Sequence, residues 1–139
     1  MLTPIQSLLG YAAWAVFLAV ALATWRSTLV LLGRASPNSF PGGIQHGTAA
    51  YWRLNRAHMN TLENLAIMAT VVLAGTQTGV AASDPRFATL AQAALATRVV
   101  QSLIHFVSGS SPAVLLRFTA FLAQLVCFVA MGWAAYHAG

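Results

Sequence analysis

The densest polar chemistry in the chain is the run Arg53-Leu54-Asn55-Arg56-Ala57-His58-Met59-Asn60-Thr61-Leu62-Glu63-Asn64. On a helix, at about 100° per residue, Arg53, Arg56, Asn60 and Glu63 fall within an arc of about 80°, while His58 points elsewhere. A second polar arc of about 60° joins Arg98, Gln101 and His105 on an otherwise apolar segment. Arg117 follows near the start of the last apolar stretch, with Gln124 two turns further on. A guanidinium is a planar fork of donors that matches a carboxylate, whereas a lone carboxylate suits an amine or an arginine. Four arginines (53, 56, 98, 117) against Glu63 therefore suit an anionic ligand, best a zwitterion with more carboxylates than amines. A competing reading is ion-pair glue, in which Glu63 pairs with Arg56 or Arg98 and fixes the helices. It accounts for one or two of the arginines and leaves at least two uncompensated.

These side chains need a scaffold, and composition names its solvent. Only 6% of the 139 residues are charged and 58% are apolar; mean hydropathy is +0.71. A soluble domain carries roughly a quarter of its residues charged. A short chain cannot hide that much apolar surface in one globule. The expected solvent is the bilayer. Four apolar stretches lie at about 8–33, 62–82 (with a polar lead-in from 48), 86–107 and 113–138. Each supplies the roughly 20 residues a crossing needs. Backbone groups in lipid must pair internally, so the stretches are helices. The expected fold is all-α: one integral membrane domain over residues 1–139, an antiparallel up-down four-helix bundle with helices at about 5–34, 48–82, 85–107 and 112–138. Residues 35–47, with two Pro and three Gly, form a loop. Asp84 caps a helix whose first position is Pro85, and Ser111 repeats the device before Pro112. Gly75 and Gly79 match a G-x-x-x-G contact face.

Arg26, Arg34, Arg53 and Arg56 flank the first loop and Arg117 the third, which places both loops in the cytoplasm and both termini on the other side. Tyr11, Trp14, Trp133 and Tyr136 would belt the interface near the termini; Trp25, Tyr51 and Trp52 would mark the cytoplasmic one. The start of the chain lacks the basic region of a signal peptide.

Composition also excludes chemistry. All seven basic residues are Arg, so no P-loop lysine and no lysine Schiff base is available. The arginines form no basic stripe, which argues against nucleic acid. The four His lack metal-ligand spacing, and two acidic residues cannot build paired-carboxylate catalysis. Cys127 sits in an apolar run as a small hydrophobe. His46 and His137 read as solvated, and Phe118, Phe121 and Phe128 as lipid-facing or core. No broken helices or paired repeats suggest a transporter. The absence of Lys fits a GC-rich genome and hence a bacterial inner membrane.

The string Arg53-x-x-Arg56-Ala57-His58-x-Asn60-x-x-Glu63 resembles the second-helix signature of the MAPEG superfamily (membrane-associated proteins in eicosanoid and glutathione metabolism). The long first loop, an Arg midway along the third helix and an Arg after a Pro-led fourth helix extend the resemblance over nearly the whole chain. The resemblance implies a homotrimer that binds glutathione as co-substrate, without metal, in a cleft between subunits reached from the cytoplasm. It implies that Arg53, Arg56, Asn60 and Glu63, with His58, hold the tripeptide, that Arg98, Gln101 and His105 line the same cleft, and that Arg34 is a first-helix family arginine. Arg117 would stabilise the thiolate, since a guanidinium beside sulfur lowers its pKa and the thiolate is the nucleophile. The family commonly has Tyr where His105 stands, and His or Tyr where Gln101 stands. The implied activity is glutathione transfer to a lipophilic electrophile from the bilayer, with peroxidase chemistry as an extension. The alternative is a non-catalytic membrane protein of the same fold.

Overall fold

The computed structural model describes residues 1–139 and contains five helices and no strand: α1 (Pro4–Leu31), α2 (Ala49–Gln77), α3 (Val80–Ser83), α4 (Pro85–Val107) and α5 (Ser111–Ala138). Three of them, α1, α4 and α5, are long and apolar enough to cross a membrane. α2 is not among these. At 29 residues it is as long as α1, but its N-terminal half carries Arg53, Arg56 and Glu63, which removes it from the apolar class.

Each boundary has a local cause. Thr3 at the N-cap and Gln6 in the first turn form a reciprocal capping box around Pro4, satisfying donors that the first turn leaves free. Thr48 caps α2 by accepting from the Tyr51 amide. α2 stops at Gln77, short of the expected 82, because Gly79 turns the chain at φ +78°. The G-x-x-x-G pair is therefore not one continuous face. Gly79 ends the helix, while Gly75 receives the ring of Phe87, so close that an added Cβ would lie 2.2 Å from the ring's Cζ. Asp84 Oδ1 accepts from the Arg86 amide and starts α4 at Pro85. The last helix begins one residue early: Ser110, not Ser111, holds the cap position, and its side chain makes no cap bond there.

The buried residues of α2 run at steps of three and four from Tyr51 through Leu54, Ala57, Thr61, Asn64, Met68 and Val72 to Gly75. α4 answers with Phe87, Ala91, Ala94, Arg98 and Gln101. Such spacing keeps one seam toward neighbouring helices. α2 packs against α1, α4 and α5, and α4 against α1 and α5. The main core joins Tyr11, Met68, Val72, Phe87, Phe128 and Met131, with Cys127 among them. Ala91 and Ala94 are fully buried and let α4 approach its neighbours closely.

One aromatic assignment changes. Trp133 and Tyr136 are exposed on α5, but Tyr11 is not an interface residue. It is fully buried, and its hydroxyl accepts from Arg98 Nε at 2.7 Å and from Gln124 Nε2 at 2.8 Å. Arg98 Nη2 donates in turn to Gln124 Oε1. A cation in the bilayer must face the protein interior and find partners there. Arg98, 1% exposed, finds a phenol and an amide.

Candidate functional site

The polar edge of α2 separates two cavities. The first, about 400 Å³, lies between α2, α4 and α5. Arg56, Asn60, Glu63 and Asn64 reach it from α2, Gln101 and His105 from α4, and Arg117 from α5, with Phe118 and Phe121 forming an apolar side. The second, about 720 Å³, lies between α1, the first loop and α2. Arg26, Pro41, Gly42, Gly43 and His58 line it, and Arg56, Asn60 and Glu63 border it as well. Three α2 side chains thus face both spaces, because Arg56 and Glu63 stand exposed on the ridge between them.

The sequence-derived candidates separate into groups. Arg56, Asn60, Glu63, Gln101, His105 and Arg117 come together around the first cavity. His105 sits there in the field of three cations, Arg117, Arg56 and Arg53. Gln101 Nε2 donates to the Arg117 backbone carbonyl at 3.2 Å, which ties α4 to α5. That bond fixes the amide, and Gln101 Oε1 is buried without a partner. A buried acceptor left open costs roughly 1–3 kcal/mol and is an unfilled place for a donor.

Four candidates lie elsewhere. Arg53 donates from Nε to the Phe106 carbonyl at 3.2 Å, satisfying one of the free carbonyls at the end of α4. His58 faces the second cavity, and its Nδ1 is buried without a partner. Arg34 is exposed beyond the end of α1 and lines neither space. Arg98 does not line the cleft expected of it. It shares an arc with Gln101 and His105, yet its side chain is drawn into the core by Tyr11 and Gln124.

Sequence reasoning missed Arg26, which it used only for topology. Arg26 stands one turn beyond the buried Leu18 and Leu22 on the same edge of α1, so this spacing was a usable signal. Its Nε donates to the Tyr51 hydroxyl at 2.7 Å. Its guanidinium lies 5.6 Å from the Phe40 ring centre and 5.8 Å from that of Tyr51. His46, expected in solvent, is half-buried against the same tyrosine.

The arrangement of the first cavity offers two guanidinium groups, one carboxylate, three amides and an imidazole beside an apolar wall. Chemically it can hold an anion, orient an amine, and place a polar reactant next to a lipophilic one. A family model described as the MAPEG family matches residues 6–137. No curated protein and no solved structure matches. With the match covering nearly the whole chain, the protein belongs to the MAPEG family.

Proposed function

We propose that this MAPEG-family membrane protein is a glutathione transferase of the membrane-associated type, acting on lipophilic electrophiles. Family membership supports a membrane glutathione transferase-like function in general, and the family also holds non-catalytic members. The observation that carries the reading is the convergence of Arg56, Asn60, Glu63, Gln101, His105 and Arg117 on one cavity from three helices.

In this reading Arg56 holds a carboxylate of glutathione and Glu63 takes its amine. The open Gln101 Oε1 accepts from a peptide N–H. Arg117 stabilises the thiolate, keeping the sulfur anionic near neutral pH. The thiolate attacks an electrophilic carbon. A carbon–sulfur bond forms and the bond to the leaving group breaks, the leaving group departing with the electron pair. Phe118 and Phe121 would meet the apolar part of the second substrate, which arrives from the bilayer. The peroxidase extension is attack of the same thiolate on a hydroperoxide oxygen: the O–O bond breaks, an alcohol leaves after taking up a proton, and a second glutathione converts the resulting sulfenic acid to glutathione disulfide with release of water.

The scaffold proposed for this chemistry is a four-helix protomer in a homotrimer. The buried stripe of α2 runs from Tyr51 to Gly75 beside all three apolar spans. That packing supports a fourth crossing, with the charged half of α2 toward the cytoplasm and both termini on the opposite side. The source would be a bacterial inner membrane.

The test uses the full chain in detergent. Glutathione binding is measured calorimetrically, and conjugation is followed with an activated aryl halide, for the parent and for Arg117→Ala. Binding with turnover, and a loss of at least about 100-fold in turnover for Arg117→Ala, fits removal of a preorganised charge stabiliser. Absence of binding sinks the ligand assignment. Binding without turnover toward several electrophiles favours the non-catalytic reading.

A further inference from the structure

Arg26 is anchored on one side and open on the other. Its Nε donates to the Tyr51 hydroxyl at 2.7 Å, and its guanidinium lies 5.6 Å and 5.8 Å from the ring centres of Phe40 and Tyr51. These contacts set the plane of the fork and leave both Nη groups without an acceptor in the chain. No carboxylate is at hand for them. Asp84 stands past the far end of α2 from Tyr51. Glu63 lies twelve residues beyond Tyr51 on the same helix, about 18 Å along its axis.

On the side away from the larger cavity, Arg26 lines a groove of about 550 Å³ between the end of α1 and the first loop. Ser27 adds a hydroxyl, while Val30, Leu31, Pro37 and Phe40 make the remainder apolar. Leu31 is 86% exposed and Leu32 60%, so this end of α1 has no protein cover. Its depth in a membrane follows from length. The 28 residues of α1 are about 42 Å long, which matches a bilayer with its headgroup layers around a hydrocarbon core of about 30 Å. About 6 Å, or four residues, then lies in each headgroup layer. Arg26, five residues before Leu31, stands where hydrocarbon meets headgroups.

We propose that the groove at Arg26 is a binding site for an anionic phospholipid, whose phosphate takes both Nη groups of Arg26 and whose glycerol and first chain carbons lie along Val30 and Leu31. A guanidinium fork matches two phosphate oxygens at once, and here its plane is already fixed. The level is right, because phosphates sit at the boundary where Arg26 stands. The apolar part of the groove needs carbon, which a free inorganic phosphate lacks. A headgroup without its own cation is favoured, since the exposed Arg34 just beyond α1 would meet a choline as a like charge. This site needs the membrane-spanning reading of α1 and not the glutathione reading.

The test titrates the full chain, delipidated in mild detergent, with dioleoyl phosphatidylglycerol and reads lipid retention by native mass spectrometry, with helix content checked by circular dichroism. The expected result is a single retained lipid per chain, bound at least about tenfold more tightly than dioleoyl phosphatidylcholine, one decade being about 1.4 kcal/mol. Arg26→Gln should lose at least about tenfold in affinity, because two charge-assisted bonds go with the fork. Arg34→Gln should lose no more than about fivefold, the contribution of one arginine near a charged surface. Tyr51→Phe keeps the Arg26 charge but frees its plane, and should lose about 2–10-fold, which tests the site even if Arg26→Gln fails to fold. Phosphatidylglycerol should also raise the thermal unfolding midpoint, and inorganic phosphate should not. Equal affinity for the two lipids overturns the proposal. Equal losses in Arg26→Gln and Arg34→Gln also overturn it, leaving only diffuse surface charge. Equal stabilisation by inorganic phosphate would assign the groove to a soluble anion and overturn the lipid.

Discussion

The sharpest test of the packing is Gln124→Leu. Leucine approximates the size of the amide side chain, so the change removes polarity while leaving little cavity. It deletes the acceptor of Arg98 Nη2, the donor to Tyr11 Oη at 2.8 Å and the donor to the Ala94 carbonyl at 3.2 Å. The first bond involves a charge and carries about 1.5–3 kcal/mol. Neutral bonds between membrane helices average about 0.6 kcal/mol each. Together they predict a loss of about 3–4 kcal/mol, within the ~3–5 kcal/mol typical of stripping a partner from a buried charge. The environment supports this figure, because Arg98 is 1% exposed and Gln124 fully buried, so water cannot replace the amide. Arg98→Met combined with Gln124→Leu removes the charge along with its partner. The double variant should therefore be more stable than Gln124→Leu alone. The assay is reversible unfolding in mixed micelles of mild detergent and dodecyl sulfate, followed by far-ultraviolet circular dichroism. A Gln124→Leu protein within about 0.5 kcal/mol of the parent would refute the reasoning. So would a double variant whose loss equals the sum of the two single losses.

Further outcomes follow from the same geometry. Gly75→Ala puts a methyl 2.2 Å from Phe87 Cζ, and the overpacking should cost about 1–3 kcal/mol in the same unfolding assay; Phe87→Leu in that background should recover part of it. Asp84→Ala removes the acceptor of the Arg86 amide and should cost about 1 kcal/mol, with Asp84→Ser largely restoring it. On the proposed function, Arg56→Ala should weaken glutathione binding by about 10–100-fold in calorimetry, the worth of a charge-assisted hydrogen bond or two. Arg34→Ala, outside both cavities, should leave that affinity within about twofold.

Much of the helical plan was legible because lipid imposes simple rules. Pro85 behind Asp84 marks where α4 begins, and the Pro and Gly of residues 35–47 mark the loop. The arcs on α2 and α4 led to five side chains that do share a cavity, where Arg117 joins them from α5. Arc alone failed at Arg98. A shared face fixes direction around one helix but not what a neighbouring helix offers there, and Tyr11 lies 87 residues away in sequence. Tyr11 misled for a related reason: near a terminus, an aromatic with a hydroxyl looks like a belt residue until its partner is known. Arg26 does not stand out, because an arginine at a helix end already has a sufficient topological explanation. The half-burial of His46 is not legible, because short-range sequence does not reveal that Tyr51 and Phe40 converge on it.

The Arg98 network also bears on how the chain enters its membrane. α4 has the lowest mean hydropathy of the three apolar spans, 1.2 against 1.8 for α1 and 2.1 for α5. An arginine near the middle of a lone span opposes its release from the insertion machinery by about 2.5–3.5 kcal/mol. Tyr11 is made long before Arg98, so α1 can wait in the bilayer with its hydroxyl. Gln124 is made 26 residues later, on the next span. α4 is therefore a poor passenger by itself and a good one in company, which favours its partition into lipid together with α5 and against α1. The residue that looked most out of place in a bilayer makes the order of synthesis matter to the order of assembly.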